Sequence, residues 1–337
     1  MMRGRRTGWL AGIISMLLVV TGCGASQAGP AKPADTVRLG YFPNVTHMAA
    51  IVGLEKGFFQ EEIGSNVKLV TQTFPNGGLF MEAVSTGQID FGYTGPGPAM
   101  NNYLKNPTHQ VLAGAVNGGA VLVVRADSGI TSINDLAGKR VAIPGIGNTQ
   151  DLALRKALKD VGLGVKGSGG DVELVAQAPA DMATLFLQKD VDAAAVPEPW
   201  GVNLEQKAGA KILLNWDEFA WGKDTTNTVV LGTKAFAEAN PELTKKLLKA
   251  HVRSIQFIRE HPDEAIALLA KHLKALTGKD LKEADIKVAV ERSEATWDVN
   301  EQVLKEMAAI SKEAAYTTKD DISGMVNLNY LNEVLPK

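Results

Sequence analysis

The sequence predicts an α/β fold in which largely parallel sheets are covered by helices. From Thr36 onward, short apolar runs alternate with segments that carry apolar residues at helical spacing. The joins between them are rich in glycine, proline, asparagine and threonine, and they are nearly free of charge. The chain has 337 residues, of which 45% are hydrophobic and 21% are charged. This composition is ordinary for globular proteins, and the length allows about two domains.

The first 22 residues have the features of a secretory signal peptide. Three arginines precede the run from Leu10 to Val20, which is apolar and too short to span a bilayer. Small residues then lead to Cys23, the only cysteine of the chain, as in a bacterial lipobox. We expect cleavage before Cys23, lipid on its sulfur, and a flexible tether over residues 23–35. The alternative is an ordinary signal peptide followed by an incidental cysteine.

The chain that remains after this cleavage lacks the features of several protein classes. Loss of residues 1–22 removes three arginines and no acid, which changes the formal net charge from −2 to −5. With a pI of about 6.3, nucleic acid is not an expected partner. No GxxxxGK[ST] occurs, and the two joins that contain Gly-x-Gly, Gly95 to Met100 and Gly145 to Gln150, lack the third glycine of the dinucleotide fingerprint, which argues against ATP and NAD. The five histidines lack metal-ligand spacing and no GxSxG occurs, so we expect no cofactor, no metal and no catalysis.

Most of the predicted strands are apolar runs followed by a helical pattern. The predicted strands are Val37 to Phe42, Val67 to Phe74, Ile89 to Thr94, Gln110 to Val116, Lys139 to Pro144 and Val172 to Gln177. The predicted helices are Met48 to Phe59, Gly78 to Thr86, Ala99 to Lys105, Thr149 to Val161 and Asp181 to Lys189. The tail is helical from Asn240, which we expect to be an N-cap ahead of Pro241.

Two β-branched segments without a following glycine-rich loop predict crossings between two lobes. They are Ala120 to Asp127 and Asn227 to Phe236, and about a hundred residues lie between them. We expect lobe one to comprise residues 36–124 and 226–337, with the helical tail packed on it. Lobe two would then comprise residues 125–225.

Five joins between a strand and the next helix predict where a ligand binds. They are Phe42 to His47, Phe74 to Leu79, Thr94 to Ala99, Pro144 to Gln150 and Ala178 to Met182. Ligands of open α/β sheets lie outside the carboxyl ends of the strands. Helix N-termini there present free N–H groups and a positive dipole end, and glycine allows close approach. The joins therefore predict a site for a small solute, and an anion suits it. Any one join taken alone is equally an ordinary tight turn.

The chain resembles the substrate-binding lipoproteins of ABC transporters for aliphatic sulfonates, taurine, nitrate and related small solutes. The resemblance runs from about Thr36 to Pro336, and its most specific segments are GLEKGFF, GQIDFGYTG and EPW, in the family's order and spacing. It implies a two-lobed periplasmic-binding-protein fold (type II), in which two α/β lobes are joined by two hinge crossings. Such a protein closes on its solute and then docks on the transmembrane subunits of an ABC permease. We expect a monomer outside the cytoplasmic membrane, held there by its lipid alone.

The resemblance also implies that the joins form the ligand cleft. The candidate ligand-binding residues are Asn44, Thr46, Asn76, Gly77, Thr94, Gly95, Asn117, Asn148, Thr149, Glu198 and Trp200. Neutral donors suit a small anion because no opposite charge has to be buried. For Asn44, Thr46 and Thr149 the alternative role is turn formation or helix capping.

Glu198 and Trp200 bear most directly on ligand identity. In the cleft, Glu198 would repel a bare anion and attract an ammonium or ring N–H, and Trp200 would offer an apolar wall. The alternative is a rigid surface corner packed on the tryptophan. We expect an aliphatic sulfonate or taurine-like solute, with nitrate or bicarbonate, or a thiamine-type pyrimidine, as alternatives. A cytoplasmic enzyme on the same fold is a further alternative, against which the lipobox argues.

Overall fold

The computed structural model describes residues 34–336. The signal peptide, Cys23 and most of the tether lie outside the described residues, so cleavage and lipidation stay predictions. Within the described part, no helix combines the length and the apolar character that a bilayer span requires.

Strands and helices alternate through most of the described chain. The strands are β1 (Thr36–Tyr41), β2 (Lys68–Thr73), β3 (Phe91–Thr94), β4 (His109–Gly118), β5 (Ala120–Val124), β6 (Arg140–Ile143), β7 (Glu173–Ala176), β8 (Ala193–Pro197), β9 (Lys211–Leu214), β10 (Thr226–Thr233) and β11 (Ser293–Ala295). The helices are α1 (Met48–Glu55), α2 (Phe58–Ile63), α3 (Gly77–Ser85), α4 (Pro96–Tyr103), α5 (Thr149–Asp160), α6 (Met182–Gln188), α7 (Trp200–Ala208), α8 (Lys234–Ala239), α9 (Pro241–Glu260), α10 (Pro262–Thr277), α11 (Glu283–Glu291), α12 (Glu301–Glu313) and α13 (Asn329–Asn332).

The first sheet has six strands in the order β11-β4-β10-β3-β1-β2. β1 is parallel to β2 and β3, whereas β10 runs antiparallel between β3 and β4. The amphipathic helix α9 packs on α1 and α2 and buries Leu247, Leu248 and Ile255 in the core over this sheet. Because β1 and β3 are parallel neighbours, the joins that follow them reach the same edge of the sheet.

The second sheet has five strands in the order β7-β6-β8-β5-β9. β6 is parallel to β7 and β8, and β5 is antiparallel to β8 and β9. Helix α5 packs on β8 and contributes Leu154 and Leu158 to the core of this sheet. Below, the first lobe and the second lobe mean each sheet with the helices packed on it.

The chain changes sheets twice. It leaves the first sheet at Gly118 and Gly119, whose φ angles of 67° and 69° lie in a region that side chains rarely adopt. It returns between Leu214 at the end of β9 and Thr226 at the start of β10.

The strand composition differs from the prediction at the first crossing. The sequence analysis placed residues up to 124 in lobe one, but Ala120–Val124 pairs with β8 and β9 of the second sheet. Each sheet also contains antiparallel strands, where largely parallel sheets were predicted. The apolar, β-branched character of β5 and β10 marks them as buried strands, but it carries no information on their pairing partners.

Local boundaries differ from the predicted ones at three positions. The helix predicted over Met48 to Phe59 is divided into α1 and α2 at Gly57, which has a φ of 75°. Helix α4 begins at Pro96, three residues earlier than predicted, because proline is accommodated at the first helical position. The third difference concerns a cap: Asn240 occupies the N-cap position of α9, as predicted, but its side chain makes no cap hydrogen bond, and its Oδ1 accepts from the N–H of Ala34 at 2.8 Å.

Candidate ligand cleft

A small cavity lies between the two lobes. Its volume is about 20 Å³, which is room for about one water molecule. Its polar lining consists of neutral amide and hydroxyl side chains together with one histidine. The first lobe contributes Asn44, Thr46, His47, Asn76, Asn227 and Thr228, and the second lobe contributes Asn148, Thr149 and Gln150.

The histidine of this lining is uncharged at neutral pH. His47 is buried, and burial lowers its pKa to about 3. Its ring stacks on Phe42 with the centroids 4.5 Å apart, and its Nδ1 accepts from the N–H of Phe42 at 3.2 Å. The cavity lining of the described chain therefore carries no formal charge.

Three helices begin at the cavity. Asn76 precedes α3, Gly95 precedes α4 and Asn148 precedes α5, and all three residues line the cavity. Asn76 is a true cap, since its Oδ1 accepts from the N–H of Leu79 at 3.1 Å. The positive ends of three helix dipoles thus meet at one point, which stabilises a negative charge there.

Hydrogen bonds hold the two lobes together around the cavity. The N–H of Gly77 donates to Asn148 Oδ1 at 2.9 Å, and the N–H of Gly97 donates to Thr149 Oγ1 at 3.3 Å. In each pair, a helix of the first lobe provides the backbone donor and the start of α5 provides the side-chain acceptor. The lobes are therefore closed in this structure.

A third contact joins the lobes beside the first crossing. Gln150 Nε2 donates to Asn227 Oδ1 at 2.9 Å, and Asn227 Nδ2 donates to the carbonyl of Gly118 at 2.6 Å. Asn227 and Thr228 are not among the candidate ligand-binding residues, because the segment that begins at Asn227 is predicted only as a crossing between the lobes. Their signal is a cluster of polar residues, Thr225 to Thr228, at the start of the otherwise apolar strand β10.

The glycines of the predicted joins permit the close approach of the lobes. A Cβ on Gly95 would overlap Thr149 Oγ1 of the second lobe. A Cβ on Gly77 would overlap the ring of Pro98 in the same lobe and would lie 3.0 Å from Asn148 Oδ1 of the second lobe. A Cβ on Gly97 would lie 2.9 Å from the backbone nitrogen of Thr149. Glycine is therefore needed at these positions so that protein segments can contact each other, as well as for the approach of a ligand.

Thr94 and Asn117 lie close to the cavity without lining it. Thr94 ends β3 directly before Gly95, and Asn117 lies on β4 directly before the first crossing. Thr94 Oγ1 and Asn117 Oδ1 are buried, and neither has a hydrogen-bond partner among residues 34–336. Their roles as ligand-binding residues stay predictions.

Glu198 and Trp200 are held in protein contacts, contrary to the roles predicted for them. Glu198 is fully buried, and its two oxygens accept from Val202 N–H at 3.1 Å and from Arg292 Nη1 at 2.8 Å. Burial raises the pKa of Glu198, and the Arg292 guanidinium opposes that rise. Trp200 is 1% exposed, and its Nε1 donates to Asn44 Oδ1 at 2.7 Å. Neither side chain lines the cavity. Glu198 stays outside the cavity lining because its carboxylate pairs with Arg292, which lies 94 residues further along the chain.

The two α/β lobes, with a polar cavity at helix N-termini between them, define a periplasmic-binding-protein fold. Solved structures of this architecture include the alkanesulfonate-binding protein SsuA of Xanthomonas axonopodis pv. citri bound to MOPS, with a TM-score of 0.70 and 21% identity over 91% of this chain and 96% of that one. The aliphatic sulphonate binding protein SsuA of Escherichia coli gives 0.71 and 24%, over 89% and 100%. The nitrate-binding protein NrtA of Synechocystis PCC 6803 gives 0.69 and 17%, over 89% and 88%. At these identities the similarity shows the fold alone.

The chain belongs to the NMT1-like family, whose model matches residues 30–275. A putative aliphatic sulfonates-binding protein of Bacillus subtilis (strain 168) is 27% identical over 338 aligned residues, which cover 96% of this chain and 95% of that protein. A putative aliphatic sulfonates-binding protein of Escherichia coli (strain K12) is 28% identical over 275 residues, covering 78% and 77%. A putative binding protein of Brucella abortus (strain 2308) is 28% identical over 241 residues, covering 71% and 72%.

Proposed function

We propose that the protein is the solute-binding component of an ABC importer. It captures a small sulfonate, such as an aliphatic sulfonate or a taurine-like molecule, between its lobes and delivers it to the permease. One observation supports this proposal most: the interlobe cavity combines three helix N-termini with neutral donors, and none of the lining residues within 34–336 carries a charge. A sulfonate is an anion with three acceptor oxygens, which N–H, amide and hydroxyl donors can satisfy.

The size of the cavity requires the lobes to separate when a solute enters. Room for about one water molecule is too little for a sulfonate group, so the closed arrangement has to open and then close again around the solute. The glycine pair Gly118 and Gly119 lies where the chain crosses between sheets, which suits a hinge. The small volume also favours nitrate or bicarbonate as a second candidate. A thiamine-type pyrimidine loses support, because Glu198 is engaged by Arg292 and does not face the cavity.

The lining chemistry favours binding over catalysis. A general acid or base is effective when its pKa lies near the working pH. The one titratable side chain in the described lining is His47, whose pKa is about 3, and the other polar groups are amides and hydroxyls. We therefore propose that the protein returns its solute chemically unchanged. Finding a converted product by NMR after incubation with any bound solute would overturn this.

A thermal-shift screen tests the binding proposal. The panel contains methanesulfonate, taurine, nitrate, bicarbonate and an aminopyrimidine. A solute present at about 100 times its Kd should stabilise the protein by about 2.7 kcal/mol. We expect the sulfonates to raise the melting temperature. If nitrate alone raises it, the sulfonate proposal is wrong, and if no member does, the proposal fails for this whole panel.

A matched pair of variants localises the binding. Thr149→Val removes a hydroxyl that faces the cavity at the start of α5, and it should weaken the sulfonate response. Thr277→Val removes a hydroxyl at the end of α10, where it donates to the carbonyl of Leu273, and it should leave the response unchanged. Equal behaviour of the two variants would place the solute elsewhere.

We further propose that Cys23 carries the lipid that holds the body outside the cytoplasmic membrane, and that the chain acts as a monomer. The lipobox pattern and the polar segment after it support the anchor. Cys23→Ser should move the protein from the membrane fraction to the soluble fraction, and continued membrane association would contradict the proposal. Light scattering of the purified body should give the mass of one chain.

A further inference from the structure

A buried carboxylate of the second lobe is held from across the cleft by a tyrosine of the first lobe. Asp151, the third residue of α5, is fully buried. Its Oδ2 accepts from Tyr316 Oη at 2.5 Å and its Oδ1 accepts from Arg155 Nε at 2.9 Å. Tyr316 follows α12, whose Leu304 is buried in one apolar cluster with Leu231 of the first sheet, so α12 belongs to the first lobe although it also contacts α5. The bond from Tyr316 to Asp151 therefore joins the two lobes.

The same carboxylate shapes the loop that faces the cavity. Asp151 Oδ2 also accepts from the N–H of Gly147 at 2.7 Å, and Gly147 has a φ of 74°. The next two residues, Asn148 and Thr149, line the cavity. The carboxylate thus fixes the turn that presents both side chains, and Tyr316 in turn fixes the carboxylate.

The hydroxyl of Tyr316 both donates and accepts a hydrogen bond. It donates to Asp151, and it accepts from Arg155 Nη2 at 2.7 Å. Arg155 lies one turn beyond Asp151 on α5, so the arginine and the carboxylate move together with the second lobe. When the lobes separate, Tyr316 therefore moves away from Asp151 and Arg155 together with the first lobe.

Further contacts bring α12 and the start of α5 together. Asn101 of α4 donates to the carbonyl of Gly147 at 3.0 Å, and its Oδ1 accepts from Ser311 of α12. Leu152 of α5 is buried in the same apolar cluster as Leu304 of α12. The region around Tyr316 is therefore a packed interface between the lobes.

We propose that Tyr316 is a latch for the closed form: a positioning residue that holds the cavity loop through Asp151 and raises solute affinity although it does not line the cavity. A hydrogen bond to a carboxylate is stronger than one between neutral groups. Because this bond exists only when the lobes are together, its stabilisation favours the closed, solute-holding form. The inference rests on the proposed function insofar as closure retains the solute.

Tyr316→Phe tests the latch because it removes one hydroxyl and preserves the ring. With methanesulfonate and taurine as probes in titration calorimetry, we expect Kd to rise about tenfold, which corresponds to the loss of one charge-assisted hydrogen bond. Stopped-flow measurement should show the change mainly as faster dissociation. Tyr330→Phe is the matched control. Tyr330 Oη donates to the carbonyl of Ala237, so both partners belong to helices of the first lobe and Kd should not change.

Hydrogen exchange provides a readout that needs no solute. In the solute-free protein, peptides covering residues 145–158 should exchange faster in Tyr316→Phe than in wild type, with no change in Tyr330→Phe. If this occurs while no probe binds to any variant, the latch stands and the proposed function fails. Unchanged exchange and unchanged Kd in Tyr316→Phe would overturn the latch. Faster exchange throughout the chain would overturn it too, since that result indicates a general structural role.

Discussion

Replacing Gly97 by alanine should prevent the lobes from closing while the fold stays intact. Gly97 is the second residue of α4. A Cβ there would lie 2.9 Å from the backbone nitrogen of Thr149, and 3.1 Å from the carbonyl carbon of Asn148 and the carbonyl oxygen of Gly147. All three atoms belong to the second-lobe backbone, so no rotamer change relieves the contact. The lobes must separate slightly to make room.

The size of the effect on solute affinity depends on the fact that the overlap occurs in the closed form and not in the open form. Inserting a methyl group into a well-packed contact costs about 1–3 kcal/mol, and here that energy applies to the closed form alone. Because 1.4 kcal/mol corresponds to a factor of ten, Kd for the solute should rise about 5- to 150-fold. In the open form, alanine is favoured over glycine within a helix by up to about 1 kcal/mol. The solute-free protein also populates the closed form, as in this structure, but it can avoid the overlap by opening, so its melting temperature should hold or rise.

Calorimetry and thermal unfolding together check this prediction. Gly78→Ala is the matched control, since Gly78 is the second residue of α3 and its nearest contact would be Asn76 Oδ1 at 3.3 Å, within the same lobe. The reasoning fails if Gly97→Ala binds methanesulfonate as tightly as wild type. It fails equally if Gly78→Ala loses as much affinity, because the loss would then not depend on contact between the lobes.

Two further predictions concern buried titratable groups. Burial lowers the pKa of His47 to about 3 and those of His109 and His251 to about 4, so the unfolded chain takes up these protons first as the pH falls. The stability is fully present above the ordinary pKa of about 6.5, and between there and pH 4 the free energy of unfolding should drop by up to about 1.4 kcal/mol per pH unit for each histidine. Denaturant unfolding of wild type and His251→Gln at several pH values measures this, and identical slopes would speak against it. Glu198→Gln should lower the free energy of unfolding by about 1–3 kcal/mol, because one charged partner of Arg292 is lost. It should affect taurine and methanesulfonate alike, and a loss confined to taurine would restore the predicted role of Glu198 toward an ammonium group.

Local sequence signals were enough for much of the candidate cleft. Asn76, Gly95, Asn148 and Thr149 were selected because they follow strands and begin helices, and they do line the cavity. Asn76 and Gly95 follow β2 and β3, which run in the same direction in the first sheet and end at the same edge, so these two residues meet without any knowledge of distant contacts. Asn148 and Thr149 follow β6 of the second sheet and reach them because the lobes are closed. The helix start at Thr149 likewise depends on residues close by in the chain and agrees with the prediction, whereas α4 begins at Pro96, three residues before the predicted start.

Other residues lie outside the cavity lining, or were not among the candidates, because their contacts depend on remote partners. Glu198 and Trp200 carry the chemistry of a ligand site, but Arg292 and Asn44 occupy their polar atoms. Asn227 was not among the candidates, because its contacts to Gln150 and Gly118 form only after the second crossing places β10 between β3 and β4. A pattern within a few residues cannot report such pairings.

By itself, the amino-acid sequence determined the alternation of strands and helices, the family resemblance and the positions of the glycine-rich joins, because these depend on residues that are neighbours along the chain. Only the tertiary structure decided which sheet receives β5, where Glu198 points, and that Tyr316 reaches Asp151 across the cleft. The physical reason is that each of these outcomes depends on a contact between segments that packing brings together from far apart in the sequence.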